Sequence, residues 1–402
     1  MGDAWIRHVS TIFCSNPMID LQAYRECLDK CGVEFISGVP DTLLNDLCLY
    51  FERDWPEGRH VIAANEGGAI ALAAGYHLAT GTVPMVYMQN SGLGNAVNPL
   101  ASLADRSVYG IPMVLVVGWR GAPGTNDWPQ HQRQGELTPK LLTAMGIPHR
   151  VVSEPAEAVA ATIWATAAAL ESSTPTALVI RKGVFALPEK AGFGPSAHGY
   201  EVSREQAIEA VISAARSDAL FVATTGRATR ELHALRVARN EPHDRDFLNV
   251  GAMGHALSIA MGLALARPDL PVICLDGDGA GLMHMGSLAI AGKSRCPNLL
   301  HVLLNNGVHE SVGGQGTAGF ATDFCSVARN CGYTSVNGPL REGHELTEAV
   351  RSMHGKGPGF IEMRICKGMR ADVPVLRMEP EELKNQLMAR LTSRGESKPV
   401  AG

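Results

Sequence analysis

Short, nearly unbroken apolar runs recur along this chain, separated by segments with helical spacing. Met113 to Val117, Ala177 to Ile180, Leu220 to Ala223, Val272 to Leu275 and Leu299 to Leu304 are among them. A strand with one wet face alternates apolar and polar residues; a continuous apolar run fits a strand buried on both faces. Burial on both faces needs helices on both sides, so the alternation predicts open parallel sheets wrapped by helices. The expected fold is α/β, with two doubly wound parallel-sheet domains.

The runs fall into two series. In the first, the pattern predicts a helix over Leu21 to Cys31, stopped at Gly32, and strands over Val33 to Ile36, His60 to Ala64, Val83 to Met88, Met113 to Val117 and Ala177 to Ile180. Pro40-Asp41-Thr42 reads as a turn opening a helix. Gly67 to Thr80 and Glu154 to Ser172 read as helices. The stretch Pro188 to Gly199 is rich in Gly, Pro, Ser and Ala and reads as a linker. After it come strands over Leu220 to Ala223, Phe247 to Val250, Val272 to Leu275, Leu299 to Leu304 and Phe360 to Met363, then a helix near Pro380 to Leu391. The expected boundaries are an arm at 1–17, a first domain at 18–185, a linker at 186–202, a second domain at 203–375, and a C-terminal helix and tail at 376–402.

Several classes are disfavoured. Lys and Arg number 35 against 40 Asp and Glu, for a net charge of −5, so a chain-wide basic footprint for nucleic acid is missing. The Ala-rich run Ala158 to Leu170 is too short to span a bilayer. The nine cysteines are scattered, odd in number and without a C-x-x-C pair. That pattern predicts reduced thiols in a cytoplasmic protein, with neither a disulfide framework nor a zinc site.

In such sheets, ligands bind beyond the carboxyl ends of the strands. The strongest signal there is Val272-Ile-Cys-Leu-Asp-Gly-Asp-Gly-Ala280, after which 25 residues separate Gly279 from Asn305-Asn306. The glycines let backbone approach a ligand, and a helix opening at Ala280 offers N–H groups to a phosphate. A carboxylate and an amide oxygen at neighbouring strand ends make a small hard-oxygen site, the kind Mg²⁺ shares with a ligand's phosphates. Asp-Gly and Asn-Gly are also common turn dipeptides, and the pairing at two strand ends is what favours a site. Glu66, in Ala63-Ala-Asn-Glu-Gly-Gly-Ala69, opens a helix; it is either a first-turn or capping-box glutamate or a buried acid with a ligand partner. Asn249-Val-Gly-Ala-Met-Gly-His255 and Thr224-Thr-Gly-Arg227 also follow strands. Met253 alone reads as a core methionine, and Thr225 and Gly226 as a helix cap or phosphate donors.

The GDG and NN pairing resembles the diphosphate-binding motif of thiamine diphosphate enzymes. Longer blocks are similar to the phosphonopyruvate decarboxylase branch of that family and, more weakly, to the fused sulfopyruvate decarboxylases. They are Gly38-Val-Pro-Asp-Thr-Leu-Leu44, Gln89-Asn-Ser-Gly-Leu-Gly-Asn-Ala-Val-Asn-Pro-Leu100, Val250-Gly-Ala-Met-Gly-His255 and Asn305-Asn-Gly-Val-His-Glu-Ser-Val-Gly-Gly-Gln315. The resemblance spans about residues 18 to 375 and leaves no room for a middle domain. It implies a pyrimidine-binding domain followed by a diphosphate-binding domain, with thiamine diphosphate and Mg²⁺ as cofactors.

Carried over, the resemblance implies Asp278, Asn306 and the Val308 carbonyl as Mg²⁺ ligands. It implies Gly279 and Ala280, helped by Thr225 and Gly226, as diphosphate donors. The Gly251 carbonyl would accept the cofactor's 4′-amino group, Met253 would support its bent shape, and Glu66 would meet N1′ of the aminopyrimidine. Asp41 is expected near the substrate and His309 as a proton relay. The implied reaction is 3-phosphonopyruvate to 2-phosphonoacetaldehyde and CO₂, in phosphonate biosynthesis. Sulfopyruvate decarboxylation is the alternative, and a non-catalytic regulatory subunit the alternative of another class. A nicotinamide-dinucleotide fold is disfavoured, because Gly277-Asp-Gly-Ala-Gly281 matches its glycine fingerprint only in part. An anionic 2-oxo acid needs cationic or N–H-rich groups; the candidates are Asn90, Ser91, Arg120, His131, Arg227 and His255. The segment Trp119 to Glu136 reads as a long polar loop suited to a lid. The resemblance implies a homo-oligomer, dimer or higher, with active sites at the subunit interface.

Overall fold

The computed structural model describes residues 19, 21–185, 199–374, 376 and 378–393. The expected arm, most of the expected linker and the end of the tail lie outside them. The chain divides into two compact units, Met1–Phe193 with Val312–Gln315, and Gly194–Ser311 with Gly316–Gly402.

The first unit holds a six-stranded sheet of β1 (Ile36–Gly38), β2 (His60–Ile62), β3 (Met85–Gln89), β4 (Met113–Gly118), β5 (His149–Val152) and β6 (Pro175–Ile180). Their order is β2-β1-β3-β4-β6-β5 and every pairing is parallel. β4 shows why its sequence is unbroken: Val114 and Val116 enter one core, and Met113, Leu115 and Val117 another. The helices Leu21–Lys30 and Pro155–Ser172 cover the first core, and Glu66–Thr80 the second.

The second unit repeats the plan. Its strands are β7 (Leu220–Ala223), β8 (Asp246–Leu248), β9 (Val272–Gly277), β10 (Leu299–Asn305), β11 (Ser335–Leu340) and β12 (Gly359–Arg364). The order is β11-β12-β10-β9-β7-β8, again all parallel. Ile273 and Leu275 of β9 face one core, Val272 and Cys274 the other. The helix Pro380–Ser393 buries Leu383 and Leu387 in these two cores.

Three expectations need correction. Each sheet has a sixth strand that the apolar runs do not announce, β5 and β11. β5 lies at a sheet edge with Arg150 and Val151 exposed, and β11 is an edge strand interrupted by Gly338-Pro339. Edge strands are not buried on both faces, so neither needs a continuous apolar run. Second, Trp119 to Glu136 is not one open loop, because a helix starts at Pro129 and runs to Ala144. Trp119 Nε1 donates to the Gly135 carbonyl at 2.9 Å and Arg120 grips Asp127, so the segment is tied down instead of hanging free as a lid. Third, Asp41 caps no helix: the next one starts at Asn45 behind Leu44, which makes no side-chain cap.

In each sheet the chain's direction of winding reverses beside one strand, and the loops there open into a crevice. In the second unit the reversal is at β7 and β9. The tips of β7, β9 and β10 carry Thr224, Asp278 and Asn306 to that crevice. No helix among the described residues is long and apolar enough to cross a membrane.

Candidate active site

At the tip of β9 the backbone turns at Gly277 directly into the helix Asp278–Met283. Asp278 is 2 % exposed, yet it carries a carboxylate. Burial pushes its pKa up to about 6, against hydrogen bonds from the Thr317 hydroxyl and the Asn306 N–H, which donates to Oδ1 at 3.4 Å. A buried carboxylate facing an open crevice without a cation beside it is costly, and a bound cation would remove that cost. Asn306, at the tip of β10, is 4 % exposed. Its Oδ1 accepts from the Val308 N–H at 3.2 Å, and its Nδ2 donates to Glu310 Oε2 at 3.1 Å. Val308 makes an antiparallel bridge with Gly316, which fixes the bend after the two asparagines.

Small residues keep this crevice open. A Cβ at Gly319 would overlap the Asp278 carboxylate, and one at Gly279 would lie 2.8 Å from the His309 ring. Thr224, Thr225, Met253, Asp278, Gly279, Ala280, Asn306, Val308 and His309 line one cleft. Gly226, with φ 102° and ψ −129°, stands at the start of the helix Arg227–Ala238 in a conformation suited to glycine. Gly251 N–H is turned onto Asn249 Oδ1 at 3.3 Å, while Met253 is half-buried at the cleft. The donor set is a carboxylate, an amide oxygen and a peptide carbonyl, next to a helix N-terminus. It suits a hard divalent cation that carries a polyphosphate.

Asn305, the first of the asparagine pair, has a different task. It is fully buried, and its Nδ2 donates to the Gly319 carbonyl at 2.9 Å and to Glu362 Oε1 at 3.0 Å. It holds the loop that carries Gly319 against Asp278.

In the first unit, Glu66 begins the helix Glu66–Thr80 and is 5 % exposed. The capping reading does not hold. Asn65 caps this helix, accepting from the Gly68 N–H at 2.8 Å. Glu66 instead receives Asn95 Nδ2 on Oε2 at 2.8 Å, and a Cβ at Gly92 would overlap its carboxylate. Asp41, after β1, is fully buried; it accepts from Gln89 Nε2 at 2.7 Å and from the Leu43 N–H at 3.1 Å. Burial pushes its pKa up, with Gln89 and Arg120 working against it.

With this geometry in view, the chain compares as follows. Residues 22–142 match the family model "Thiamine pyrophosphate enzyme, N-terminal TPP binding domain", and residues 224–363 match the C-terminal TPP binding domain of the same enzymes. A phosphonopyruvate decarboxylase of Streptomyces viridochromogenes is 34% identical over 377 residues, covering 90% of this chain and 92% of that protein.

The chain belongs to the thiamine pyrophosphate enzymes.

A phosphonopyruvate decarboxylase of Streptomyces hygroscopicus is also 34% identical, over 88% of this chain and 89% of that one. A sulfopyruvate decarboxylase of Methanosarcina acetivorans is 26% identical over 89% and 94%. The chain is thus a thiamine pyrophosphate-dependent decarboxylase of the phosphonopyruvate and sulfopyruvate type, built from two α/β domains with no middle domain.

For a thiamine pyrophosphate enzyme, the candidate anion contacts are placed unevenly. Asn90 is 1 % exposed and fully engaged: Nδ2 donates to the Arg120 carbonyl at 2.8 Å and to Thr138 Oγ1 at 2.9 Å, and Oδ1 accepts from the Arg120 N–H at 3.2 Å. It is a strut joining β3 to β4. Ser91 is exposed and donates to Gln89 Oε1 at 2.7 Å. Arg120 is held bidentately by Asp127 at 2.8 and 2.6 Å. Against the upward push of burial, Arg120 and the Gly121 and Trp128 N–H groups hold the Asp127 carboxyl well below its usual range. His131 is no cation at neutral pH, because burial and then Arg120 lower its pKa to about 4. Burial also lowers His309 to about 4, so it is a neutral imidazole beside Gly279. His255 is exposed and lies with its ring centroid 4.3 Å from that of His284.

One network escaped the sequence reading. Arg204 is almost fully buried, and pairs with Glu231 at 2.6 Å and Glu310 at 2.7 Å. Arg227 pairs with Glu310 at 3.3 Å and donates to its carbonyl at 3.0 Å. Glu310 also accepts from the Gly368 N–H. Arg227 is therefore spent on Glu310, and the C-terminal segment near Gly368 is tied to the cleft wall. Glu310 and Arg227 lie in motifs, but Arg204 and Gly368 are far from them in sequence and carry no spacing signal.

Proposed function

We propose that this chain decarboxylates 3-phosphonopyruvate to 2-phosphonoacetaldehyde and CO₂, with thiamine diphosphate held through Mg²⁺. The observation that carries the reading is Asp278 and Asn306 brought together at the tips of β9 and β10, in a chain that matches two phosphonopyruvate decarboxylases along most of their length. The buried carboxylate of Asp278, lining the cleft, and the space kept by Gly279 and Gly319 support the fit of a metal–diphosphate group. When bound, thiamine diphosphate supplies the electron sink for loss of CO₂ from a 2-oxo acid.

Asp278, Asn306 and the Val308 carbonyl hold the Mg²⁺. Gly279, Ala280, Thr225 and Gly226 present N–H and hydroxyl groups to the diphosphate. The Gly251 carbonyl and Met253 position the pyrimidine end. Glu66, kept from water by Asn95 and the bare backbone of Gly92, shares a proton with the aminopyrimidine N1′. Asp41, buried and raised toward its neutral form, faces the substrate region, and neutral His309 accepts or returns a proton there. The domain division proposed is a pyrimidine-binding half at 18–185 and a diphosphate-binding half at 203–375. The proposed assembly is at least a homodimer in which Glu66 of one subunit serves the diphosphate site of another. Leu72 on the Glu66–Thr80 helix is 41% exposed, and Phe35, Val61 and Ala71 line the same apolar hollow, which supports burial against a second copy. Phosphonate metabolism in the cytoplasm is the setting the reading implies.

The test is product identification by ³¹P NMR. Purified protein given 3-phosphonopyruvate, thiamine diphosphate and Mg²⁺ should yield 2-phosphonoacetaldehyde. No aldehyde from a protein shown to bind the cofactor would overturn the substrate.

A further inference from the structure

β9 and β10 lie side by side in the middle of the second sheet, and their shared face is packed under helices. Such a face should be entirely apolar. Here Cys274 and Asp276, two residues apart on β9, point to the same side, as period-two alternation requires. His301 on β10 is the register partner of Cys274. All three are buried, with Cys274 at 0%, Asp276 at 2% and His301 at 1% exposure. One sulfur, one carboxylate oxygen and one ring nitrogen lie within 4.8 Å of one another.

The polar atoms in this cluster are poorly satisfied from within the protein. Among the described residues neither ring nitrogen of His301 has a hydrogen-bond partner, although Nε2 is 3.5 Å from Asp276 Oδ2. The other oxygen of Asp276 is occupied, since Oδ1 accepts from the Gly277 N–H at 3.0 Å. The buried Tyr333 hydroxyl also has no hydrogen-bond partner among the described residues. Burial, and after it the nearby Cys274 thiol, holds that phenol protonated. Phe360 packs edge-on against both rings, at 5.2 Å from His301 and 5.8 Å from Tyr333, and closes the apolar wall. Unmet buried donors and acceptors are uncommon in folded chains and point to a missing partner.

We infer that Cys274, Asp276 and His301 form a second, internal cation site that takes a zinc-like divalent ion, set behind the diphosphate cleft, whose wall Asp276 also joins. Thiolate, imidazole and carboxylate are the zinc ligand set, whereas Mg²⁺ avoids sulfur and prefers oxygen. The charges also balance. A thiolate and a carboxylate around a divalent ion, with neutral imidazole, sum to zero, which a dry interior tolerates. On binding, the Cys274 thiol loses its proton to solvent and its sulfur bonds the metal; no oxidant or reductant is needed. Ligand atoms around tetrahedral zinc sit roughly 3.3–3.8 Å apart, so the three side chains close by about an ångström. The Tyr333 phenol or one water fills the fourth position. Because Asp276 directly precedes Gly277-Asp278, the ion would also brace the turn that starts the diphosphate cleft.

The test uses Co²⁺ as a spectroscopic stand-in, titrated into the full-length, metal-stripped protein without thiamine diphosphate and with Mg²⁺ in large excess. The expected result is one equivalent bound, with a thiolate-to-cobalt charge-transfer band and tetrahedral visible bands, all displaced by Zn²⁺. Cys274→Ala should abolish the charge-transfer band, and Asp278→Ala, in the neighbouring cleft, should keep it. If Cys274→Ala does not fold, His301→Gln should weaken Co²⁺ affinity at least tenfold. No charge-transfer band on folded wild-type protein, a band that survives Cys274→Ala, or unchanged affinity in His301→Gln would each overturn the inference.

Discussion

Asn95 donates from Nδ2 to Glu66 Oε2 at 2.8 Å, across 29 residues of sequence. Asn65 satisfies the helix end next door, so Glu66 is released from capping and its carboxylate is aimed by Asn95 instead. Gly92 leaves room for the carboxylate itself, because a Cβ there would overlap Glu66 Oε1. The arrangement separates the residue that caps the helix, Asn65, from the buried acid next to it.

Glu66→Gln keeps the shape and removes the proton exchange. Turnover should fall by roughly a hundredfold or more, within the range general acid–base groups contribute, while thiamine diphosphate affinity stays within a few-fold. Steady-state kinetics beside calorimetry separates the two. Turnover close to wild type would remove Glu66 from the chemistry.

Asp278→Ala should act in the opposite sense. It deletes a buried acid whose charge burial disfavours, but also the acceptor of the Thr317 hydroxyl and the Asn306 N–H, so the stability of the cofactor-free protein should change little. Mg²⁺-dependent thiamine diphosphate affinity should drop at least tenfold. Unchanged affinity in a calorimetric titration would take Asp278 out of the metal site.

Asp41 gives a pH signature. Burial raises its pKa in the folded chain above the ordinary 3.8, so the folded state holds the proton more tightly than the unfolded one. The stability this group contributes is fully present below the ordinary value and is lost as pH rises through the raised one. Asp41→Asn should flatten that part of the profile. Thermal melts at stepped pH check it, and superimposable slopes for both proteins would contradict the account.

Asn90 separates a structural strut from a substrate contact. As a strut it should matter for stability first: Asn90→Ala leaves the Arg120 N–H and carbonyl and the Thr138 hydroxyl short of partners and should cost about 2–3 kcal/mol. Denaturant unfolding reads this directly. A variant of wild-type stability with a KM raised tenfold would restore Asn90 as a substrate contact.

The buried Arg204 network makes a separate forecast. Glu231→Gln leaves Arg204 with Glu310 alone, and losing one partner of a buried pair costs about 3–5 kcal/mol. The double change Arg204→Met with Glu231→Leu should recover part of that loss. A single variant as stable as wild type would show the pair to be dispensable.

What the sequence revealed follows from burial. β4, β9 and β10 are covered on both faces, so their residues had to be apolar and the runs were visible. β5 and β11 are edges, free of that demand, and passed unnoticed. The site was legible in the same uneven way. Asp278 and Asn306 sit at strand ends, where the alternation of elements fixes their positions. Their supports do not: Thr317 is 39 residues beyond Asp278, and Arg204 is 106 before Glu310. Arg120 read as a free cation because its partner, Asp127, is a loop residue that no periodicity pairs with it. The Cys274, Asp276 and His301 cluster was hidden because zinc spacing was sought along the chain, whereas these residues meet across two strands.

The most direct test of the central claim is a parallel rate measurement. Purified protein is offered 3-phosphonopyruvate, sulfopyruvate and pyruvate, each with and without thiamine diphosphate and Mg²⁺, and aldehyde release is followed. The account predicts cofactor-dependent turnover with kcat/KM for 3-phosphonopyruvate at least tenfold above the other two. A preference for sulfopyruvate or pyruvate would contradict the substrate, and turnover that ignores the cofactor would contradict the mechanism itself.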